Sequence, residues 1–450
     1  MDTRRGVLKK ILVGGGMLSA MPDALLAKTV VRKKQFEKPV CTLFRSVNGT
    51  PQENIVKVVE IMGGMKNIIG SDDLVVIKPN VQWWNQGVPN LAALKVFVEM
   101  IMERPGGFRG EVVIAENCHR GNTPWASENS GWARRFERNS DISQVSNMKE
   151  LTDHLKKNYG DRFTICHWTN VASGARRVYG PNEGNGYVYC DGTGGVPLMA
   201  CDNGIVGDRR RATIMTYPIF TTDKGTIVDF KNGIWEKGLY TEQPLRFINF
   251  AALNHHSAYC GITSAVKNYL GVSDLSGGPD PINGGRLTGE YFNFHSFPFD
   301  KWAPGPKPGM LGKEIGIFLD TVRKADLNIT TAEWVGLASR VAPPVARTRA
   351  VMACTDPVAL DYHAAKYVLY PNSNMSIHNP DKEKSPVRQY LKECAEMCGC
   401  LLDESHVKVE SYDHQKKRLQ TDEDLIVKGE MQWGSDPKIL LKYFVLRYMV

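Results

Sequence analysis

Leu74-Val75-Val76-Ile77-Lys78-Pro79-Asn80 is a short apolar run closed by a lysine and a proline. Four consecutive apolar residues fit a strand buried on both faces, as in a parallel sheet. Upstream, Ile55, Val58, Val59 and Met62 fall at helical spacing over 52–62, and Gly63-Gly64 ends the run. Downstream, 91–103 again has helical spacing, stopped by Pro105-Gly106-Gly107, and Val112-Val113-Ile114-Ala115 is the next buried strand. Strand, helix and strand in this order predict a right-handed parallel crossover. The rhythm returns with a strand at Arg246–Leu253, a helix over about 261–270, strands at Asp326–Thr330 and Ala350–Ala353, and a helix opening at Pro357. The expected class is α/β: a mainly parallel sheet with helices on both faces.

Between 120 and 243 the rhythm breaks. Gly, Asn, Asp and aromatic residues dominate, and Asp191-Gly192 and Asn232-Gly233 between short apolar runs predict hairpins. This stretch is expected to be a loop- and hairpin-rich insertion, or cap, on an α/β core spanning 38–380. Residues 381–450 are expected to be a C-terminal extension whose last segment, Ile439–Val450, docks on the core.

Hydrophobic residues make up 42% of the 450, and the 42 Gly and 24 Pro follow no period, so a fibrous or disordered chain is excluded. A net charge of +8 is mild for this length. Arg209-Arg210-Arg211 and the Arg134, Arg135, Arg138 group sit among polar residues, which points to solvated loops and away from a nucleic-acid surface. They leave room for a small anionic substrate. The N-terminus has paired arginines (Arg4, Arg5), a moderately apolar run from Ile11 to Ala20 and small residues ending near Ala27. That pattern predicts an export signal over 1–27, of the type read by the twin-arginine machinery, and a periplasmic or otherwise exported protein. No stretch has about 18 consecutive apolar residues, so no transmembrane helix is expected. Of the ten cysteines, only Cys394, Cys398 and Cys400 cluster. Their C-x3-C-x-C spacing is neither a common zinc pattern nor a ferredoxin-type run, and favours structural or disulfide-paired cysteines.

In an open parallel sheet, ligands bind beyond the carboxyl ends of the strands. The residues that follow the buried runs are Lys78 and Asn80; Glu116, Asn117, Cys118, His119 and Arg120; Asn254, His255 and His256; and Asp356. Lys78 and Lys267 suit the holding of negative charge, from substrate or from a developing oxyanion. His256 has the intrinsic pKa of a general acid/base. Glu116, Asp356 and Asp361 can bind a hard divalent cation or orient the bases. Asp356 ahead of Pro357 is equally a plain helix N-cap.

At these positions the chain resembles the family called domain of unknown function 362. LVVIKPN (74–80) is similar to its opening motif, HSAYCGITSAVKNYLG (256–271) to its central motif, and CTDPVALD (354–361) to its late motif. Order and spacing fit, and the resemblance covers roughly 45–370. It implies that the family's recurring polar residues fall on Lys78, Asn80, His256, Thr263, Lys267, Asn268, Asp356 and Asp361. The family's usual Lys-Thr-His is Asn254-His255-His256 in this chain, and the ferredoxin-type cysteine runs of many relatives are missing. His255, His256, Gly261 and Lys267 also resemble, more weakly, the order seen in nickel-dependent lactate racemases.

The expectation is therefore an exported enzyme with one site at the strand ends, acting on a small anionic or polyhydroxylated substrate and open to a metal or redox cofactor. His256, Lys267 and Lys78 would be catalytic, and Asn80, Glu116, His119, Thr263 and Asn268 would bind substrate. Asp356 and Asp361 are the candidate metal ligands, and the reaction type is not readable. The alternative is a non-catalytic exported protein that binds a metal or cofactor.

Overall fold

Every residue of the 74–79 run is buried, and the strand it forms lies inside an eleven-stranded sheet. The computed structural model describes residues 41–118, 130–170, 175–206, 209–275, 291–292, 294, 308–421 and 424–448. The export signal expected over 1–27, and His119, lie outside the described residues. Eight longer strands make up most of the main sheet: β1 (Cys41–Val47), β2 (Leu74–Pro79), β3 (Glu111–Cys118), β4 (Phe163–Asn170), β5 (Leu245–His255), β6 (Leu327–Gly336), β7 (Val345–Cys354) and β8 (Val407–Asp413). Their order is β8-β1-β7-β6-β5-β2-β3-β4. Two-residue strand 418–419 extends the sheet beyond β8, while 262–263 and 430–432 pair with β5 and β7.

From β6 to β4 all five strands are parallel, and β2 and β3 are direct neighbours. Only β7, of the eight, runs against the rest: it is antiparallel to both β6 and β1, while β8 is parallel to β1. The class is α/β with a mixed sheet, mostly parallel at its centre.

Local chemistry explains the helices that join these strands. Helix α1 (Pro51–Ile61) starts at a capping box. Thr50 Oγ1 accepts from Glu53 N at 3.2 Å, and Glu53 Oε2 accepts from Thr50 N at 2.8 Å. Helix α2 (Leu91–Met102) links β2 to β3 and is capped by Asn90 Oδ1, which accepts from Ala92 N and Ala93 N. Its fully buried Phe97 meets Phe250 of β5 with ring centroids 5.7 Å apart. Burying a side chain of this kind contributes about 1.5–3 kcal/mol.

Two expectations are corrected here. The βα rhythm does not stop at 120. Helix α3 (Met148–Tyr159) and β4 continue it, with β4 parallel to β3 at the sheet edge. The signal was weak because an edge helix needs only a narrow apolar stripe, supplied by Met148, Leu151 and Leu155. Only the stretch after β4 leaves the main sheet. It forms a five-stranded sheet, ordered 239–240, 233–236, 227–229, 216–221, 186–189, and strands 200–206 and 209–214, which pair with each other. Asn232-Gly233 joins 227–229 to 233–236 as a hairpin, but Asp191-Gly192 closes none, since 186–189 pairs with 216–221. Arg210 and Arg211 lie on strand 209–214 and not in a solvated loop: Arg210 is paired with Asp202, and Arg211 is buried.

The second correction concerns the C-terminus. Residues 381–450 are no appendage to the core, because β8 is a strand of the main sheet. Among the remaining helices are α4 (Ala265–Asn268), α5 (Pro308–Thr321), α6 (Pro357–Ala364), α7 (Pro386–Cys398) and α8 (Pro437–Tyr448). Cys394, Cys398 and Cys400 at the end of α7 are free thiols. No helix among the described residues is long and apolar enough to cross a membrane.

Candidate functional site

The sheet register sets three polar side chains in one row. Lys78 of β2 stands beside Asn249 of β5, and Asn249 beside Asn328 of β6. All three are buried, so each polar atom needs a partner. Asn249 Nδ2 donates to Asn328 Oδ1 at 2.8 Å, and Asn328 Nδ2 donates to the carbonyls of Cys354 and Thr355, each at 3.2 Å. Asn268 of α4 closes the row from above. Its Nδ2 donates to Lys78 O and Asn249 Oδ1, and its Oδ1 accepts from Lys78 Nζ at 2.6 Å.

Lys78 Nζ also reaches Glu116 Oε2 on β3 at 2.8 Å, an ion pair almost wholly out of water. Burial drives the Glu116 carboxyl up to about 7, against the pull of Lys78 and of backbone N–H groups at Asn117 and Val81. Burial likewise lowers Lys78, opposed by Glu116. The pair is roofed by Gly271. A Cβ there would come within 2.6 Å of both Lys78 Nζ and Glu116 Oε1, so only glycine lets the chain pass this close.

Above the pair is a cleft of about 50 Å³, lined by Lys78, Asn80, Trp83, Glu116, Thr263, Lys267, Asn268 and Arg340 among others. A space of that size takes a few waters or the charged end of a small molecule. Lys267 is partly exposed and makes no ion pair or hydrogen bond among the described residues. Desolvation lowers its ammonium to about 8, helped by the like charges of Arg340 and Lys78 and opposed by Cys260 and Glu116. Thr263 is 8% exposed, and its Oγ1 is buried with no hydrogen-bond partner among the described residues. Arg340 lies 4.7 Å from the ring centroid of Trp83. A cation without a partner, an unsatisfied hydroxyl and a guanidinium thus border one small space. Oxyanions are the groups that satisfy the ammonium and the hydroxyl together.

The expected site residues divide. Lys78, Glu116, Thr263, Lys267 and Asn268 meet at the cleft, and Asn80 borders it. Asn80 is also a brace: its Nδ2 donates to Gly87 O at 2.6 Å and its Oδ1 accepts from Ala252 N at 2.9 Å. His256 is not among the lining residues. It sits in the turn whose His256 N donates to Gly261 O, with its Nδ1 3.1 Å from Ser257 Oγ. The acid/base role expected of it has better candidates in Glu116 and Lys267.

Asp356 and Asp361 are corrected as metal ligands, because backbone amides occupy their oxygens. Asp356 follows the reversed strand β7 and so leaves the sheet toward the opposite rim. Its Oδ1 caps α6 through Val358 N and Ala359 N, and its Oδ2 accepts from Leu401 N at 2.7 Å. Asp361 accepts from Ala265 N at 2.8 Å and Val266 N at 3.0 Å, fixing the start of the short helix that carries Lys267 and Asn268. Among the described residues, no group of three or more His, Cys, Asp or Glu is arranged to hold a metal ion.

Sequence reasoning missed Arg340, Asn249 and Asn328, and quoted Gly271 within a motif without its reason. Arg340 was findable. It lies just past the end of β6, but the strand was expected to stop at Thr330, since Thr331 and Glu333 interrupt its apolar run. Comparison with known proteins found no family model, no curated protein and no solved structure that matches this chain.

Proposed function

We propose that this protein is an exported enzyme that holds a small carboxylate, or a similar oxyanion, at the carboxyl ends of β2, β3 and β5 and moves a proton on it. The observation that carries this is the Lys267 ammonium and the Thr263 hydroxyl, both without partners among the described residues, lining one cleft with the Lys78–Glu116 pair. Lys267 and Thr263, with Arg340, bind the anion. Glu116, raised to about 7, exchanges a proton near neutral pH, and Lys78 holds it in place. The segments resembling the domain of unknown function 362 supply Lys78, Asn80, Thr263, Lys267 and Asn268 to this one cleft, which supports kinship with that family. Helices on both faces of the sheet are part of the proposal. It is supported by Val75 and Ile77 clustering with residues of α1, α2 and α3, while Leu74 and Val76 cluster with residues of α5, α6 and α7. Export through the twin-arginine machinery rests on Arg4, Arg5 and the segment after them. Changing both arginines to Lys should hold the protein inside the cell, and undiminished export would refute that part.

The test of the chemistry is exchange of solvent deuterium into small hydroxy- and oxo-acids, followed by NMR. The full chain should label at least one such acid, next to the carboxylate of a hydroxy acid or next to the carbonyl of an oxo acid. Glu116→Gln should retain binding and lose the labelling, and Lys267→Met should lose both. Binding without labelling in the unaltered protein would shift the proposal to a non-catalytic carrier. Binding that survives Lys267→Met would refute the anion site.

A further inference from the structure

A second and larger cavity, of about 310 Å³, lies away from the strand-end cleft. It is bordered by α6 and the wide π-helical segment 365–369 that continues it, by 401–405, by the start of β8 and by Leu425. Its walls are mostly apolar or aromatic: Tyr362, Tyr367, Leu401, Leu402, Val407 and Val409. The wide turn has a structural cause, since it frees the carbonyl of Tyr367 to accept from Val427 N at 2.8 Å. That bond docks the segment bearing Leu425 and closes one side of the cavity.

His363 supplies a polar group in this lining. Its Nε2 lies 3.2 Å from Arg45 NH1. A guanidinium cannot accept a hydrogen bond, so Nε2 is the unprotonated nitrogen, and the proton of the neutral ring sits on Nδ1. His363 is 3% exposed, and its Nδ1 makes no hydrogen bond among the described residues. Nδ1 is therefore a donor still to be satisfied, on a ring that borders the cavity.

Arg45 strengthens this donor. It is fully buried and has no carboxylate within ion-pair distance among the described residues. Its hydrogen bonds go to Ser411 Oγ, Leu425 O, Gln420 Oε1 and His363. A buried cation directly behind the ring polarises the Nδ1–H toward the cavity. At the rim, Lys366 is already paired with Glu404 and Asp381, so it is not available to a ligand's charge.

We propose that this cavity is a second binding site, for a largely apolar, ring-containing molecule that presents one acceptor oxygen to His363 Nδ1. The volume falls within the range of ordinary small-molecule sites, and a few placed polar groups in a mostly apolar wall are how such sites fix orientation; Asp403, Glu404 and Ser405 join His363 in this lining. The oxygen could come from a neutral carbonyl or from a carboxylate, and the probes below separate the two.

The experiment titrates the full chain with 2-acetylnaphthalene, 2-ethylnaphthalene and 2-naphthoate by calorimetry. These differ in the oxygen and little in shape. The ketone should bind once per chain and about five- to tenfold tighter than the hydrocarbon, the gain of one hydrogen bond from a buried donor. His363→Phe keeps the ring and should erase that preference. Leu402→Trp fills the cavity without touching the His363–Arg45 contact and should abolish binding of both probes, so the test stands even if His363→Phe does not fold. Naphthoate binding tighter than the ketone assigns a carboxylate ligand, and weaker binding assigns a neutral carbonyl. Equal affinity for ketone and hydrocarbon, or titrations unchanged by Leu402→Trp, would overturn the proposal.

Discussion

The two halves of the main sheet use the ends of their strands differently. From β4 to β6 the strands are parallel, and residues at or beyond the carboxyl ends of β2, β3, β5 and β6 gather at one cleft: Lys78, Glu116, Thr263 and Arg340. Across β7 the direction reverses, so the residues after it leave by the other rim, and Asp356 becomes a helix cap. The reversed half still serves the site, but as a bracket. Asp361 of α6 grips the amides of Ala265 and Val266 and thereby aims Lys267 and Asn268. A carboxylate near a strand end is thus a ligand candidate only if its strand runs with the others. Hydrophobic runs do not report direction.

The sharpest way to break this comparison is at the buried pair. Lys78→Met should destabilise the fold by about 3–5 kcal/mol, because it leaves Glu116 buried without its cation. Adding Glu116→Leu should recover most of that loss, and urea denaturation midpoints of the unaltered protein and the two variants would show it. A loss below about 1 kcal/mol in the single variant would mean that the pair is not sealed from water.

The bracket is probed next. Asp361→Asn retains one acceptor and turns an N–H donor toward an amide N–H, at a cost of about 1–3 kcal/mol. It should also weaken anion binding by loosening Lys267. Asp356→Ala removes a cap on the same helix for about 1 kcal/mol and should leave anion affinity unchanged. If both variants weakened the anion equally, the distinction between cap and bracket would fail.

The smallest effect is a titration. Lys267 is lowered to about 8, and an oxyanion needs its ammonium form, so affinity should fall as pH rises above about 8. The slope should approach tenfold per pH unit. Proton exchange also needs Glu116 as carboxylate, so its rate should rise through about 7 and fall beyond about 8. A flat profile from pH 6 to 9 would remove both groups from the mechanism.

The central crossover was legible because β2 and β3 are buried on both faces and therefore read as unbroken apolar runs. Edge elements were not: polar residues such as Thr164 and His167 in β4, and Lys408 and Glu410 in β8, interrupt the apolar pattern, so 148–170 and 407–413 looked like insertion and tail. Lys78, Glu116 and Lys267 were legible as charges at the ends of apolar segments. Asn249 and Asn328 were not, since an asparagine inside a strand looks like a flaw until the register shows what it bonds. Gly271 was quoted as part of a motif, but its reason, the passage of backbone against an ion pair, is visible only in three dimensions.

The row Lys78–Asn249–Asn328 has a consequence for assembly. Its strands lie far apart in the chain, with Lys78 and Asn249 separated by 171 positions, and their apolar faces alone would tolerate misalignment. A shift of β5 by one residue would turn Asn249 to the opposite face and leave the amides of Asn268 and Asn328 buried without their partner. A shift by two would restore the face but set an apolar side chain where Lys78 and Asn328 expect a polar one. The row works as a key that fits one alignment, penalising each misaligned sheet by several unmet amides before any ligand is present.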